Sequence, residues 1–229
     1  MSQSTMIVTP LQQGPAPERE EAIQKFLGFC HTKRYPHRKE IIKPGDSGDT
    51  LYYIIEGSVA ITMQEETDDG KREIVLAYMN KDEYIGEVGV FVGNMTRSVS
   101  VVTRTPCQLA EIKHARFLQL LKTDLKPYAT ELLFSLGEQL SVRLLNASRK
   151  VSHLAYLDVT GRIARTLMDL CKEPDAMTHP DGMQIRITRQ ELGRIVGCSR
   201  EMAGRVLKVL EEQKLLTAKG KTIVVFGTR

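Results

Sequence analysis

Two hydrophobic periods alternate along the chain. Glu20 to Phe29 (EEAIQKFLGF) spaces its apolar residues as a short amphipathic helix. From Arg34 to about Leu109 the residues fall into short β-rich runs, LYYIIEGSVAITM, REIVLAYM, IGEVGVFVG, TRSVSVVTRT and PCQLAEI. The turn signals PGDSGD, TDDGK and NKDEY separate them, a spacing that predicts a β-sandwich or jelly-roll barrel. His114 to Leu121 returns to a helical pattern, and TDLKP then places a proline where a helix can start but not continue.

Glu131 to Leu157 is the longest periodic stretch. Leu133, Leu140, Ala147 and Leu154 recur every seventh position, with Leu144 and Val151 interleaved, which is a coiled-coil seam. A second apolar row, Leu132, Leu136 and Leu145, predicts a helix that covers the β domain on one side and pairs with its own copy on the other. Gly137 and Ala147 weaken the seam, so a long buried helix in a monomer is the alternative.

Asp158 can cap the next helix, DVTGRIARTLMDLCKE, and the junction Tyr156 to Asp158 reads as a boundary and hinge. After a polar turn, PDAMTHPDGM, and a strand, QIRI, Thr188 caps a short helix carrying Leu192, Ile195 and Val196. Gly197 permits a tight turn and Ser199 caps a second helix with Ala203, Val206, Leu207 and Leu210 facing inward. A Lys/Gly turn and the strand TIVVFGTR would form a wing. The expected organisation is α+β: a leader over 1–19, a β-roll with flanking helices over 20–128, a dimerisation helix and hinge over 129–157, and a winged helix-turn-helix over 158–229.

Charge sharpens this division. The net charge is +4, and from Asp158 onward there are 13 Lys and Arg against 9 Asp and Glu, so the tail carries all of it and would attract a polyanion. In a helix-turn-helix the first turn of the second helix meets base edges. There stand Arg200, Glu201 and Arg205, with chemistry suited to guanine and to cytosine N4. Thr188, Gln190, Ser199, Lys208, Lys219 and Lys221 lie where phosphate contacts belong. A helical hairpin with a charged surface is the plainer alternative.

The four cysteines, Cys30, Cys107, Cys171 and Cys198, stand apart without metal-ligand spacing and are expected to be reduced, buried hydrophobes. No metal site is expected. No nucleophile–base spacing, HExxH or P-loop occurs, and the β region from Arg34 to Leu109 holds only His37, too few for a cupin metal set. No apolar run approaches the roughly 18 residues of a membrane helix, so a cytoplasmic protein that is not an enzyme is expected. One further stretch has binding chemistry, Gly86-Glu87-Val88-Gly89 with Thr96-Arg97-Ser98. Glycine amides and an Arg can hold a phosphate, although bulges and a surface Arg would read the same.

The succession of GEVGVF, TRSV, LDVTGRIARTL, PDAMTHPDGMQI, TRQELGRIVGCSREMAGRVLK and GKTIVVFGTR resembles the cyclic-AMP receptor protein, or catabolite activator, family of bacterial transcription regulators, near its pseudomonad virulence-regulator branch. The resemblance implies a homodimeric activator or repressor that binds palindromic operators when cyclic AMP is bound. Gly86 and Ser98 would hold the cyclic phosphate, Arg97 would be its counter-ion and Glu87 would take the ribose 2′-OH, with Val88, Gly89, Ile61 and Leu76 completing the pocket. The base would lie against Ala147 and Ser148 of the long helix. The family has Thr-Ser there, so Ala147 removes a hydroxyl worth about 0.5–1.5 kcal/mol. Family members answering to cyclic di-GMP carry an acidic residue after the Arg, and Ser98 instead favours cyclic AMP. A regulator of the same fold that answers to cyclic di-GMP, or needs no ligand, is the alternative. Thr178, His179 and Gly182 match one RNA polymerase contact of the family, and His31, Lys33 and Arg116 match another.

Overall fold

The computed structural model describes residues 17–228 apart from 68–69, 94 and 174. Helix α1 (Pro17–Leu27) starts at Pro17 rather than at Glu20, with acidic Glu18 and Glu20 in its first turn, where they favour the helix dipole. The rest of the expected leader, residues 1–16, lies outside the described residues, as does the tip of the TDDGK turn.

Strands β1 (His31–Tyr35), β2 (Glu40–Ile42), β3 (Thr50–Glu56), β4 (Val59–Thr67), β5 (Gly70–Met79) and β6 (Tyr84–Ile85) follow. The run LYYIIEGSVAITM is therefore two strands, because Gly57 turns the chain at φ +91° between β3 and β4. IGEVGVFVG, expected as a strand, is also corrected. Gly86 leaves β6 at φ +85°, Glu87 is already in the right-handed helical region, and Val88–Val92 form a short helix, α2. Strands β7 (Ser100–Thr103) and β8 (Cys107–Lys113), then helix α3 (His114–Leu120), complete the domain. Two four-stranded sheets, ordered β1-β8-β3-β6 and β2-β7-β4-β5, enclose a core of Ile42, Ile54, Val59, Met79, Ile85, Val101 and Leu109. All ladders are antiparallel, and the sandwich is the expected jelly roll.

Helix α4 (Ala129–Tyr156) is 28 residues long. Its N-terminal half buries Leu132 and Leu136 with Phe26, Phe117, Tyr53 and Tyr84 against the first sheet. Each such side chain contributes about 1.5–3 kcal/mol by leaving water. Along the C-terminal half the seam stays exposed: Leu144 is 68% accessible, Val151 66% and Leu154 60%. Leu145, from the second row, is also exposed.

Two extended residues, Leu157 and Asp158, join α4 to α5 (Val159–Leu170), and the cap Asp158 accepts from the Gly161 amide at 2.7 Å as expected. The polar stretch after α5 is not all turn, since Met177–His179 form strand β9, paired with β10 (Gly182–Arg186). Helices α6 (Arg189–Val196) and α7 (Arg200–Glu212) pack on Ile163, Leu167 and Ile223. Strands β11 (Leu216–Lys219) and β12 (Thr222–Phe226) form the wing, β11 arising from residues read as part of the Lys/Gly turn.

Candidate nucleotide cradle and DNA-reading helix

At the end of β6 the chain makes a glycine turn against which the Arg97 guanidinium packs. A Cβ on Gly86 would sit 2.7 Å from Arg97 Nη1 and 2.7 Å from the Thr50 carbonyl oxygen, so only glycine admits the guanidinium here. Arg97 is half-buried and its Nη2 donates to the Thr50 carbonyl at 2.5 Å. The predicted pair of glycine turn and Arg is thus brought together. Ser98 and Val88 are exposed beside it. Gly89 is buried against His114, whose Cε1 would lie 2.6 Å from a Cβ at that position. His114 is only 8% exposed, and burial, then the charge of Arg97, hold its pKa below the ordinary value.

Glu87 is 1% exposed. A bare carboxylate at that depth would cost several kcal/mol, and Arg143 of α4 offsets the cost by pairing with its Oε1. The same guanidinium donates to the Tyr84 carbonyl at 2.6 Å and reaches the Met79 sulfur at 3.0 Å. Gln139 clamps Tyr84 from both sides, accepting from its amide at 2.7 Å and donating to its carbonyl at 2.8 Å. Helix α4 is thereby fastened to the turn that carries the cradle. Glu87 Oε2 keeps no hydrogen-bond partner among the described residues. Neither Arg143 nor Gln139 was singled out from the sequence, where they are two of several polar residues along the long helix.

Ile61 on β4 and Leu76 on β5 are half-buried. A bulge leaves Leu76 out of register, and its carbonyl accepts from Lys150 of α4 at 2.5 Å. Ala147 and Ser148 are exposed on α4, on the length of helix that carries the seam. Within one chain they are not part of the buried cradle.

The helix-turn-helix half follows the caps expected of it. The Thr188 hydroxyl accepts from the Glu191 amide at 3.0 Å and the Ser199 hydroxyl from the Met202 amide at 3.1 Å. Gly197 turns at φ +76°, and Ala203, Val206, Leu207 and Leu210 are buried. The crossing of α6 and α7 also needs Gly193, where a Cβ would come 2.7 Å from the Cys198 carbonyl oxygen. Arg200, Glu201, Arg205 and Lys208 line one open groove together with Arg189, which the sequence reading passed over. Arg189 lies across Gly204, within 3.4 Å of where its Cβ would be. Gln190 is exposed on α6, and Lys219 and Lys221 flank the exposed wing tip.

Thr178, His179 and Gly182 share the β9–β10 hairpin, with Gly182 paired to His179. His31 and Lys33 are exposed on β1, Lys33 paired with Glu111, and Arg116 is exposed on α3. Cys107 and Cys171 are buried as expected, whereas Cys30 and Cys198 are only half-buried; all four are free. Burial pushes the Cys30 thiol up to about 12. No group of His, Cys, Asp or Glu suited to a metal ion occurs among the described residues. None of the described helices is long and apolar enough to cross a membrane.

Residues 32–124 match the cyclic nucleotide-binding domain family and residues 161–226 the Crp-like helix-turn-helix domain, which defines a DNA-binding regulator rather than an enzyme. The chain belongs to the CRP/FNR family of transcription regulators. It is 51% identical over 231 residues to the CRP-like protein Clp of Xanthomonas oryzae pv. oryzae, covering 100% of this chain and 99% of that one. Clp of Xanthomonas campestris pv. campestris is 55% identical over 207 residues, 90% of this chain and 89% of that one. A solved structure of CLP from Xanthomonas campestris, described as a c-di-GMP responsive global regulator, superposes with a TM-score of 0.85 at 54% identity, covering 91% of this chain and all of that one. The CRP/FNR regulator TTHA1359 of Thermus thermophilus shares the fold at TM-score 0.69 and 22% identity, over 86% of this chain and 93% of that one.

Proposed function

We propose that this regulator works as a homodimer whose binding to palindromic operators is gated by cyclic AMP. The observation that carries the reading is Glu87. A buried carboxylate held by Arg143 keeps one oxygen unpartnered, and beside it Arg97 is packed on a glycine turn. An acceptor next to a cation suits a ribose hydroxyl adjoining one cyclic phosphate. Ser98 keeps a neutral hydroxyl after the Arg, and a carboxylate there would repel a phosphate.

The exposed seam on α4 supports pairing with a second copy, since a row of Leu and Val facing water is covered on dimerisation. That helix also carries Arg143 and Ser148, so nucleotide and dimer axis meet on one element. Swinging about Tyr156–Asp158 would set two α7 helices about 34 Å apart, one turn of DNA. Ligand drives the change only by preferring one form, and moving the balance from 1:99 to 99:1 takes about 5.5 kcal/mol. The β9–β10 hairpin, with Thr178 and His179, and the His31, Lys33 and Arg116 surface are the proposed RNA polymerase contacts.

Cyclic di-GMP is the second reading, favoured by the description of the 54% identical CLP from Xanthomonas campestris. Calorimetric titration of the purified protein with each nucleotide separates the two. Binding of cyclic AMP with cyclic di-GMP silent supports the first reading, and the reverse overturns it.

A further inference from the structure

One set of contacts belongs neither to the cradle nor to the reading face. The winged domain rests on the β-roll of its own chain. Tyr78 of β5 donates its hydroxyl to Glu191 Oε1 of α6 at 3.1 Å. Near the end of that helix, Arg194 pairs with Glu73 of β5 at 2.9 Å. Arg104 lies 3.9 Å above the Tyr78 ring and pairs with Asp175 at 3.1 Å, and the Asn80 amide donates to Glu173 at 3.4 Å. Burial and then the Glu191 carboxylate push the Tyr78 hydroxyl well above the usual tyrosine range, so it stays a donor at all working pH values.

Strand β5 has a second set of partners. Next to Tyr78, the buried Met79 meets Arg143 of α4, and two residues before it the bulged Leu76 carbonyl takes Lys150 of α4. The strand is therefore held by the long helix and holds the winged domain in turn. The covalent link between those two parts is the pair Leu157 and Asp158, both in extended backbone outside either helix.

We propose that Tyr78, Arg104, Asn80 and Glu73 form an interdomain latch that fixes the orientation of the DNA-reading helix relative to the long helix. With α6 docked, Arg200, Glu201 and Arg205 remain exposed, so the latch orients the reading face and does not mask it. Losing the latch then weakens binding that requires a set orientation, and leaves non-specific binding alone.

The test uses the full-length protein without any nucleotide, so that it stands apart from the choice of effector. Wild type is compared with Tyr78→Phe/Arg104→Ala and, from the winged side, with Glu191→Gln. Hydrogen–deuterium exchange reads peptides covering 76–80 and 189–196, and fluorescence anisotropy reads a palindromic duplex selected on the wild-type protein and a random duplex. Both variants should exchange at least ten-fold faster in those peptides, with the β3 and β8 peptides unchanged. They should also bind the selected duplex at least five-fold more weakly and the random duplex within two-fold. Exchange equal to wild type in both variants overturns the latch. Faster exchange with unchanged binding to the selected duplex overturns its role in orientation, as does an equal loss on both duplexes.

Discussion

Arg143 is the side chain on which the cradle and the long helix depend together, and replacing it with Met isolates that dependence. The substitution keeps the stem and removes the cation, stranding Glu87 at 1% exposure without its partner. Breaking a buried pair in this way costs about 3–5 kcal/mol, most of it the uncompensated charge. The lost hydrogen bond to the Tyr84 carbonyl weighs less, because Gln139 still donates there at 2.8 Å. The Arg143 side chain is 23% exposed, so some water reaches the pair and the lower end, about 3 kcal/mol, is the expected loss. Urea denaturation of Arg143→Met and of the double variant Glu87→Gln/Arg143→Met reads it. The double variant removes the stranded charge and should recover more than half of the loss. A single-variant loss under about 1 kcal/mol, or a double variant no more stable than the single, would refute the idea that the ion pair carries the carboxylate.

The remaining predictions address other parts of the molecule. Leu144→Glu/Val151→Glu places charges on the exposed seam and should give a particle of one subunit by analytical ultracentrifugation; an unchanged dimer mass would move the interface elsewhere. Arg200→Ala and Arg205→Ala should each lose about 1–3 kcal/mol on the selected operator and far less on random DNA in anisotropy titrations, whereas equal losses on both would mean phosphate contact alone. His114 has a folded pKa below its ordinary 6.5, so the unfolded chain takes up the proton first and stability falls as pH drops below about 6.5. His114→Gln should remove that part of the acid destabilisation in thermal melts between pH 7.5 and 5, and an identical pH profile would exclude His114 as its source.

What could be read from the sequence was governed by local rules. Asp158, Thr188 and Ser199 cap helices through bonds to amides three residues ahead, so spacing alone locates them, and Gly197 marks the turn because few other residues accept its φ. The seam on α4 was legible for the same reason, as a repeat within one element. Helix α2 was not, since VGVFV has the composition of a strand and becomes helical only because Gly86 turns the chain before it. Arg143, Gln139 and Lys150 act on residues far away in the chain, and nothing near them in sequence names Glu87, Tyr84 or Leu76 as their partners. The interdomain contacts of Tyr78 and Arg104 were hidden likewise, because they depend on where α6 comes to rest.

Gating itself is tested most directly by the affinity of the full-length protein for its selected palindromic operator, measured by anisotropy with and without saturating cyclic AMP. Binding at least ten-fold tighter with the nucleotide is expected, a difference of about 1.4 kcal/mol or more in favour of the DNA-bound form. Equal affinity in the two conditions would contradict gating by cyclic AMP.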